Sequence, residues 1–599
     1  MPFDGLTIRA VTRQLNQELG DARIDKIHHP ERDELIFSLR SPRIGSARLV
    51  LSANPRWARM HISTEKKANP SQPSAFCMLL RKYLEGAKIK GIEQIGMERV
   101  VYIRLEALND FREWQEKLLV CEFMGRHSNI ILVNPENNLI IDAIKKVGSE
   151  VSSFREILTG REYVPPPGQG KLDPQQAGSQ EFAAAMWAQP DHTDMATALF
   201  NVFTGVSPYT ARHICRLAGF DDTQPVDECG ALELDRLYAT TRDLIHHLDE
   251  GDMEPCVKYR KNLAQEFSPF QPAALPRGSQ VKKFASMNAA CDHFFTQKLG
   301  QLRLESMQNN LVRTINEHLH KAYRKQFLQE GDLQEARENE KYKLWGEMLT
   351  AYAHRFRKGD TEATMPYFTT GEEIKLPLDP RYTPIQNAQR YFRIYNKSRG
   401  ALRHLKRLMA ENQANIDYLE SVLVAVKQAQ EPLHIEEVVD ELEKEHYLKP
   451  RASRPKAKKA SLKPRRFMSS DGLLISVGRN NLQNDRLTLR DSNRNDLWLH
   501  AKEIPGTHVI ITLPPDITSI DAVPDTTLEE AAALAAHFSK ASGSRKVAVD
   551  YTFRHNVKKP GSAKPGMVVY DNYWTILVDP ASRRVQELLD SELAADQVL

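Results

Sequence analysis

Straight after the opening FDG, apolar residues recur at near-helical spacing, and Leu6, Val11, Leu15 and Leu19 predict an amphipathic helix. Four runs then read as strands: ELIFSL, ARLVLSA, ERVVYIRL and KLLVCEF. Between the second and third, SAFCMLLRKYLEGAKI sets Phe76, Leu79, Leu80 and Tyr83 on one helical face. The Pro/Gly cluster YVPPPGQG marks a domain edge. A smaller helical region is expected over 176–275. There TGVSPYTARHICRLAG offers Ser207 as N-cap, Pro208 at the first helical position and Gly219 as the stop. Helix, Gly-Val-Ser-Pro, helix predicts a helix-hairpin-helix, a turn that can present backbone N–H groups to a phosphate.

Further on, Tyr395, Leu402, Met409, Ile416 and Leu423 are spaced by seven. Ser398, Leu405, Asn412, Leu419 and Val426 follow three later. This heptad seam, with Asn412 as a register-setter, predicts one arm of an antiparallel coiled coil. Leu304, Met307, Leu311, Ile315 and Leu319 supply the other arm, with GEEIKLPLDPRYTP as an insert at the tip. An ordinary helical bundle is the alternative. The run KPRASRPKAKKASLKPRR, nine basic residues and no acid, is expected to be a solvated linker with affinity for phosphate. Beyond it LLISVG, RLTLR, THVIITL, KVAVDYTF and MVVYDNYWTILV read as strands of a compact α+β domain. Thr526 and Glu529 suggest a capping box for the helix LEEAAALAAHFSKA. The expected class is multidomain α+β, divided at 1–175, 176–275, 276–445, 446–466 (linker), 467–580 and 581–599 (a loose acidic tail).

Composition narrows the function classes. With 599 residues the chain is too long for one core. Its formal net charge is only +4, so affinity for nucleic acid must come from local clusters. The six cysteines are scattered without a Cys-x-x-Cys, which argues against a disulfide framework or a structural zinc site. No export signal or bilayer-length apolar run is read, and a cytoplasmic location is expected.

Three stretches carry candidate chemistry. In NDLWLHAKEIPGTHVII, Asp496, Trp498 and His500 alternate, so a strand would put them on one face. A hydrolytic dyad lacks a nucleophile, and a metal site of Asp496, His500 and His508 lacks a fixed geometry. A core Trp498 with a hydrogen-bonded His500 is the structural alternative. An RNA-gripping face is the sharper reading, because tryptophan stacks on bases while the acid and imidazole bond to hydroxyls and base edges. Arg479, Asn480, Asn481, Arg486, Lys558, Lys559 and Lys564 would supply its polar and positive surroundings. Second, Glu122-Phe123-Met124-Gly125-Arg126-His127-Ser128-Asn129 interrupts an apolar strand pair, either as a plain hairpin or as a polar binding site with Arg126 and His127 at its apex. Third, Glu98-Arg99 opens a strand after Ile-Gly-Met. By spacing alone it is an exposed ion pair worth little.

Together FDG (3–5), FCMLLRKYL (76–84), MGRHSN (124–129), YVPPP (163–167), GVSP (205–208), NAQRYFRIYNK (387–397), SVGRNNLQND (476–485), DLWLHA (496–501), PGTHVII (505–511) and VDYTFRHNVKKP (549–560) resemble the NFACT family along nearly the whole chain. The resemblance implies an N-terminal domain like that of formamidopyrimidine-DNA glycosylases, a helix-hairpin-helix domain, a coiled-coil hairpin and an RNA-binding C-terminal domain. It implies a factor that binds large ribosomal subunits blocked by peptidyl-tRNA, recruits alanyl-tRNA and drives template-free alanine tailing, the peptide bond being made by the ribosome. Such a protein is an elongation-factor-like adaptor with no catalytic residue, cofactor or metal. Its implied partners are the large subunit, tRNA and a small S4-like RNA-binding protein. By resemblance the tRNA-binding residues are Glu98, Arg99, Arg126 and His127, with Glu98 standing where the family carries aspartate. Glu122, Phe123 and Met124 match a functional stretch of the N-terminal domain. Arg479, Asn480, Asp496, Trp498, His500, Lys558 and Lys559 fall on the RNA-binding domain. Two other classes stand beside this one: a fibronectin-binding adhesin, and a DNA lyase acting through the amine of Pro2. The lyase reading lacks the acid expected after the proline, since Phe3 follows.

Overall fold

The computed structural model describes residues 3–593 apart from 68, 71, 110, 261, 368, 451–461 and 562. Pro2 and most of the basic linker lie outside the described residues. The chain divides into two compact units, Met1–Gln301 and Leu302–Leu599.

The first unit is built on helix α1 (Gly5–Leu19) and a nine-stranded antiparallel sheet. Its strands are β1 (Arg23–Glu31), β2 (Glu34–Ser41), β3 (Gly45–Ser52), β4 (Arg59–Ile62), β5 (Lys88–Gln94), β6 (Val100–Leu108), β7 (Trp114–Glu122), β8 (Asn129–Asn134) and β9 (Leu139–Ala143). Sheet order is β4-β3-β2-β1-β5-β6-β7-β8-β9, and β1 meets β5 through the single pair Arg23↔Lys88. Leu6, Ile8, Val11, Leu15 and Leu19 of α1 are fully buried in the core. Helix α2 (Ala75–Leu84) is shorter than its apolar pattern suggests. The chain turns at Gly86, whose φ is +89°, and Lys88 already belongs to β5. Strands β1, β4, β5 and β9 escaped the sequence reading, because segments such as RIDKIHHPE and KIKGIEQ hold too few apolar residues to alternate clearly.

Four helices follow: α3 (Ser179–Trp187), α4 (Met195–Val202), α5 (Pro208–Leu217) and α6 (Ala231–Glu250). The expectation of helix up to 275 fails beyond this point. Residues Cys256–Arg260 (β10), Leu263–Ser268 (β11) and Ser279–Lys283 (β12) form a small antiparallel sheet with β10 central.

In the second unit two long helices run side by side, the latter part of α7 (Met287–Glu338) and α9 (Pro384–Gln428). Between them lie α8 (Lys341–Ala351) and a hairpin of β13 (Glu362–Pro366) with β14 (Glu373–Pro377). All ten heptad positions of α9 are buried or half-buried. Leu311, Ile315, Leu319 and Ala322 share a core with Ile416, Leu419, Val422 and Val426. Partners run in opposite directions: Gln308 reaches the Val426 carbonyl, Gln326 reaches Gln413 and Asn339 reaches Ser398. Asn412 sits in the seam and donates to the Ala322 carbonyl at 2.9 Å, so shifting the register strands a buried amide.

Helix α10 (Pro432–Lys444) closes the base of the pair. After it comes a six-stranded antiparallel sheet: β15 (Arg465–Met468), β16 (Leu474–Val477), β17 (Leu497–Ala501), β18 (Val509–Ile511) and β19 (Val547–Phe553). A short pair, β20 (Val557–Lys558) and β21 (Val569–Tyr570), precedes its last strand β22 (Trp574–Val578). The order is β15-β16-β18-β17-β19-β22. Helix α11 (Asn481–Arg486) leads into a π turn, Leu487–Asp491, so RLTLR is not a strand. Its Thr488 turns inward to hydrogen-bond His508 at 2.8 Å. Helix α12 (Asp525–His537) covers one sheet face. The expected capping box is absent, since Thr526 lies inside the helix. Asp471, in the β15–β16 turn, caps it instead by accepting from the Thr527 amide at 3.1 Å. Part of the expected loose tail is helix α13 (Arg583–Asp590), with Val585 and Leu588 buried in the same core.

One buried acid joins three of these helices. Glu441 of α10 accepts from Tyr418 Oη of α9 at 2.9 Å and from Asn481 Nδ2 of α11 at 3.1 Å. Burial pushes its carboxyl up to about 7, against the pull of those donors. The fold thus retains a proton that an ordinary glutamate loses near pH 4.3. Stability should therefore fall as pH rises from about 4.5 to about 7, by on the order of 3 kcal/mol. Urea denaturation of the full chain across that range should show the slope, and Glu441→Gln should flatten it. An equal slope in the variant would refute this account.

Candidate nucleic-acid interface

In the first unit, two distant motifs meet through backbone. The Gly5 amide donates to the Gly205 carbonyl at 2.8 Å. A Cβ on Gly5 would lie 2.5 Å from Gly205 Cα. One on Gly205, where φ is +76°, would lie 2.3 Å from the Met97 carbonyl oxygen. Only glycine fits at either place. Asp4 fixes the same junction: its carboxylate caps α1 by accepting from the Thr7 amide at 3.0 Å, and it also accepts from the Thr210 hydroxyl of α5. Ser207 caps α5 in turn, as its sequence suggests. Gln94 completes the joint, donating to the carbonyls of Gly5 and Glu98 at 3.0 and 2.9 Å.

This joint brings Glu98 and Arg99 to the turn before α5, in a cleft of about 260 Å³ that Lys171, Phe200 and Thr204 also line. The two neighbours do not pair with each other. Glu98 accepts from the Thr204 hydroxyl at 3.0 Å, while the Arg99 guanidinium has no hydrogen-bond or ion-pair partner among the described residues. Lys171 donates to the Phe200 carbonyl at 2.5 Å and lies 4.0 Å from the centre of that ring. Burial, and then the Arg99 charge, hold its amine below the usual lysine range, with Glu98 opposing. Two cations beside the N-terminus of α5 make the cleft attractive to anions.

The EFMGRHSN stretch divides its labour. Glu122 is fully buried, held by Arg155 at 2.7 and 2.6 Å and by Tyr163 Oη at 3.0 Å, so it anchors the YVPPP segment rather than facing solvent. Phe123 packs edge-on against Phe3, and its amide donates to the Arg99 carbonyl at 2.8 Å. Met124 is half-buried. Arg126 and His127 stand exposed on a single 3-10 turn, with Arg126 Nε 2.9 Å from His127 Nε2.

In the second unit, strand register puts Trp498 opposite Ile510 and Thr552. Asp496, Trp498 and His500 share the sheet face turned away from α12, since Leu497, Leu499 and Ala501 fill the core beneath that helix. Asp496 is buried and accepts from the amides of Asn493 and Leu513. Burial raises its carboxyl while those amides lower it. Trp498 is fully buried among His500, His508 and Tyr570, at ring-centre distances of 5.7, 5.3 and 4.8 Å. Burial holds both imidazoles neutral, pushing His500 down to about 4 and His508 to about 3. Several polar residues around this face are engaged internally. Arg479 pairs with Glu592 at 2.8 Å, Asn480 donates to Glu437 at 2.7 Å, and Lys559 pairs with Asp485. Lys558 is exposed, 3.8 Å from Asp571.

Residues 4–461 match the family described as NFACT N-terminal and middle domains, and residues 463–572 match the NFACT protein RNA binding domain. The chain belongs to the NFACT family. It is 33% identical to the Rqc2 homolog RqcH of Bacillus subtilis (strain 168), over 99% of this chain and 100% of that one. It is also 33% identical to the Rqc2 homolog RqcH of Streptococcus suis (strain 05ZYH33), over 98% and 100%. Among solved structures it resembles the N-terminal part of the fibronectin/fibrinogen-binding protein from Streptococcus suis, at 28% identity and a TM-score of 0.41, covering 49% of this chain and 99% of that one.

Within this NFACT chain, sequence reasoning missed Gln94, Lys171 and Thr204. Lys171 carried a faint signal, as the cation that ends the Gly-rich GQGK. Gln94 and Thr204 carried none, because their roles depend on a joint between segments about a hundred residues apart. Replacing Gly205 with alanine should destabilise the fold by about 2–4 kcal/mol, through overpacking and a strained φ. Arg99→Ala, which removes no internal partner, should leave the melting temperature within about a degree of wild type. Thermal melts of both variants check the pair, and a stable Gly205→Ala would contradict the joint.

Proposed function

We propose that this NFACT protein binds large ribosomal subunits obstructed by peptidyl-tRNA, recruits tRNA, and promotes template-independent alanine tailing of the stalled chain. A ribosome quality-control role is supported by both domain matches and by RqcH relatives aligned over nearly the full chain. The observation that carries the tRNA part is the convergence of Glu98, Arg99, Lys171 and the turn before α5 in one cleft, where the Arg99 guanidinium has no partner among the described residues. Arg99 is the residue for a phosphate or base edge, Lys171 adds positive field, and Glu98, steadied by Thr204, offers an acceptor. Arg126 and His127, on the turn reached through Phe123, extend this surface. The protein acts as an adaptor, and the ribosome makes the peptide bond.

The remaining parts fit the same proposal. The α7–α9 pair is an antiparallel coiled-coil hairpin, and at 1.5 Å rise per residue its 45-residue second helix spans roughly 65 Å, a reach suited to a ribosomal surface. In this reading Lys558 and His500 meet RNA on the Trp498 face of the C-terminal domain, which Asp496, Arg479, Asn480 and Lys559 hold in shape through their internal hydrogen bonds and ion pairs.

Sequencing the RNA that co-purifies with the tagged protein tests this reading. Large-subunit ribosomal RNA with one enriched tRNA family is expected, and its absence would overturn the proposal. Arg99→Ala should keep the ribosomal RNA and lose most of the tRNA. For purified tRNA, Lys171→Ala should reduce the slope of log affinity against log salt by about 1.

A further inference from the structure

The face that carries Trp498 opens at its two ends into two clefts of different character. At the Asp496 end, about 490 Å³ is lined by Lys463, Arg466 and Arg486 together with Asp491 and Asp496, over an apolar floor of Leu474 and Ile510, and Arg486 pairs with Asp491 at 3.1 Å. At the His500 end, about 420 Å³ lies between this face and α9, lined by Trp498, His500, His508, Tyr570, Asn481 and Asp417. Among the described residues no lysine or arginine lines the second cleft, and Glu503 adds a second acid to it. Three lysines around the cleft are occupied: Lys559 by Asp485, Lys564 by Tyr447, with its amine 4.4 Å from that ring's centre, and Lys540 by Glu420 at 2.6 Å.

We propose that the cleft at the His500 end receives an unpaired base of bound RNA. This rests on the RNA-binding reading above and adds the ligand class and the residues. Four aromatic rings and no cation favour a flat, neutral heteroaromatic over a phosphate, which two acids would repel. The volume falls in the range of small-ligand pockets, roughly 300–1,000 Å³. The Trp498 indole is fully buried and lines the cleft, yet its Nε1–H has no acceptor among the described residues. A buried donor left unmatched is costly, and a base carbonyl or ring nitrogen supplies what it lacks. Asp417, on α9, offers the complementary acceptor for an exocyclic amine; it takes one hydrogen bond, from Gln413 at 2.8 Å. A metal is the poorer occupant, because no group of three His, Cys, Asp or Glu side chains among the described residues has the geometry to hold one. The cleft at the Asp496 end, four residues and roughly 13 Å away along the chain, is separate from this base site.

The test uses the full chain and the unphosphorylated nucleosides adenosine, guanosine, cytidine and uridine, read by saturation-transfer NMR. At least one nucleoside should bind, with an affinity that does not change between 50 mM and 500 mM salt, unlike a phosphate contact. Trp498→Phe, which keeps a ring but loses the N–H, should weaken binding about tenfold while the protein still melts cooperatively. Asp417→Asn, half-buried on another element, should weaken it independently and guards against a folding artefact. No nucleoside binding, displacement of the nucleoside by inorganic phosphate, or unchanged binding in both variants would each overturn the pocket. Ribosomal RNA co-purifying with the wild type in the same preparations separates the two readings. Its presence with no nucleoside binding sinks the pocket alone, and its absence sinks both.

Discussion

A single backbone hydrogen bond, Gly5 N–H to Gly205 C=O, sets the geometry of the first unit's site. It can form only where two chain segments approach without side chains, and each glycine occupies space that a Cβ would take. Everything polar in the cleft follows from that approach. Asp4 can cap α1 and hold Thr210 of α5 with one carboxylate because the two helix starts lie together. Gln94 can bridge two carbonyls because the turn before β6 is drawn in beside them. Arg99 is then left facing a cleft while its own carbonyl is tied to Phe123. Rigid backbone thus fixes where the Arg99 cation sits, the kind of support that makes recognition of an anion specific.

The second unit relies on the opposite device, a buried acid. Glu441 satisfies a tyrosine of α9 and an asparagine of α11 at once, and Glu437 one turn away does the same for Asn480 and Gln483. Helices α9 and α10 are thereby fastened to the start of the RNA-binding domain by groups that would be costly to leave unpaired. Much of the polarity in SVGRNNLQND is spent on this fastening.

The sequence was most legible where one period dominates. The heptads of α9 set its buried side, and Asn412 lies in the seam because only a polar residue there can reach the Ala322 carbonyl. The Ser207 cap and Pro208 start of α5 were equally plain. Alternation also placed Asp496, Trp498 and His500 on one face. It could not reveal that Trp498 would be enclosed, since its cover comes from Tyr570 and His508 in other segments. RLTLR misled for a related reason: β-prone residues form a π turn when Asn480 starts a helix just before them and Thr488 finds His508. The cap of α12 was invisible because Asp471 is over fifty residues from it. At the first site, Glu98 and Arg99 were visible as residues, but their separation as partners was not.

That separation bears on the acid at 98. A carboxylate next to an arginine would ordinarily satisfy it and mute its charge. Here the Thr204 hydroxyl takes the Glu98 carboxylate, so Arg99 keeps its donors for a ligand. Glutamate reaches one methylene further than aspartate, roughly 1.3–1.5 Å by ordinary bond lengths. In this chain that extra reach ends on a side chain of the turn before α5, not in open solvent. The longer acid is therefore braced by the same joint that positions the arginine. Against the aspartate that the family resemblance implies at this position, the longer acid would move the acceptor rather than remove it, leaving the arginine as it is.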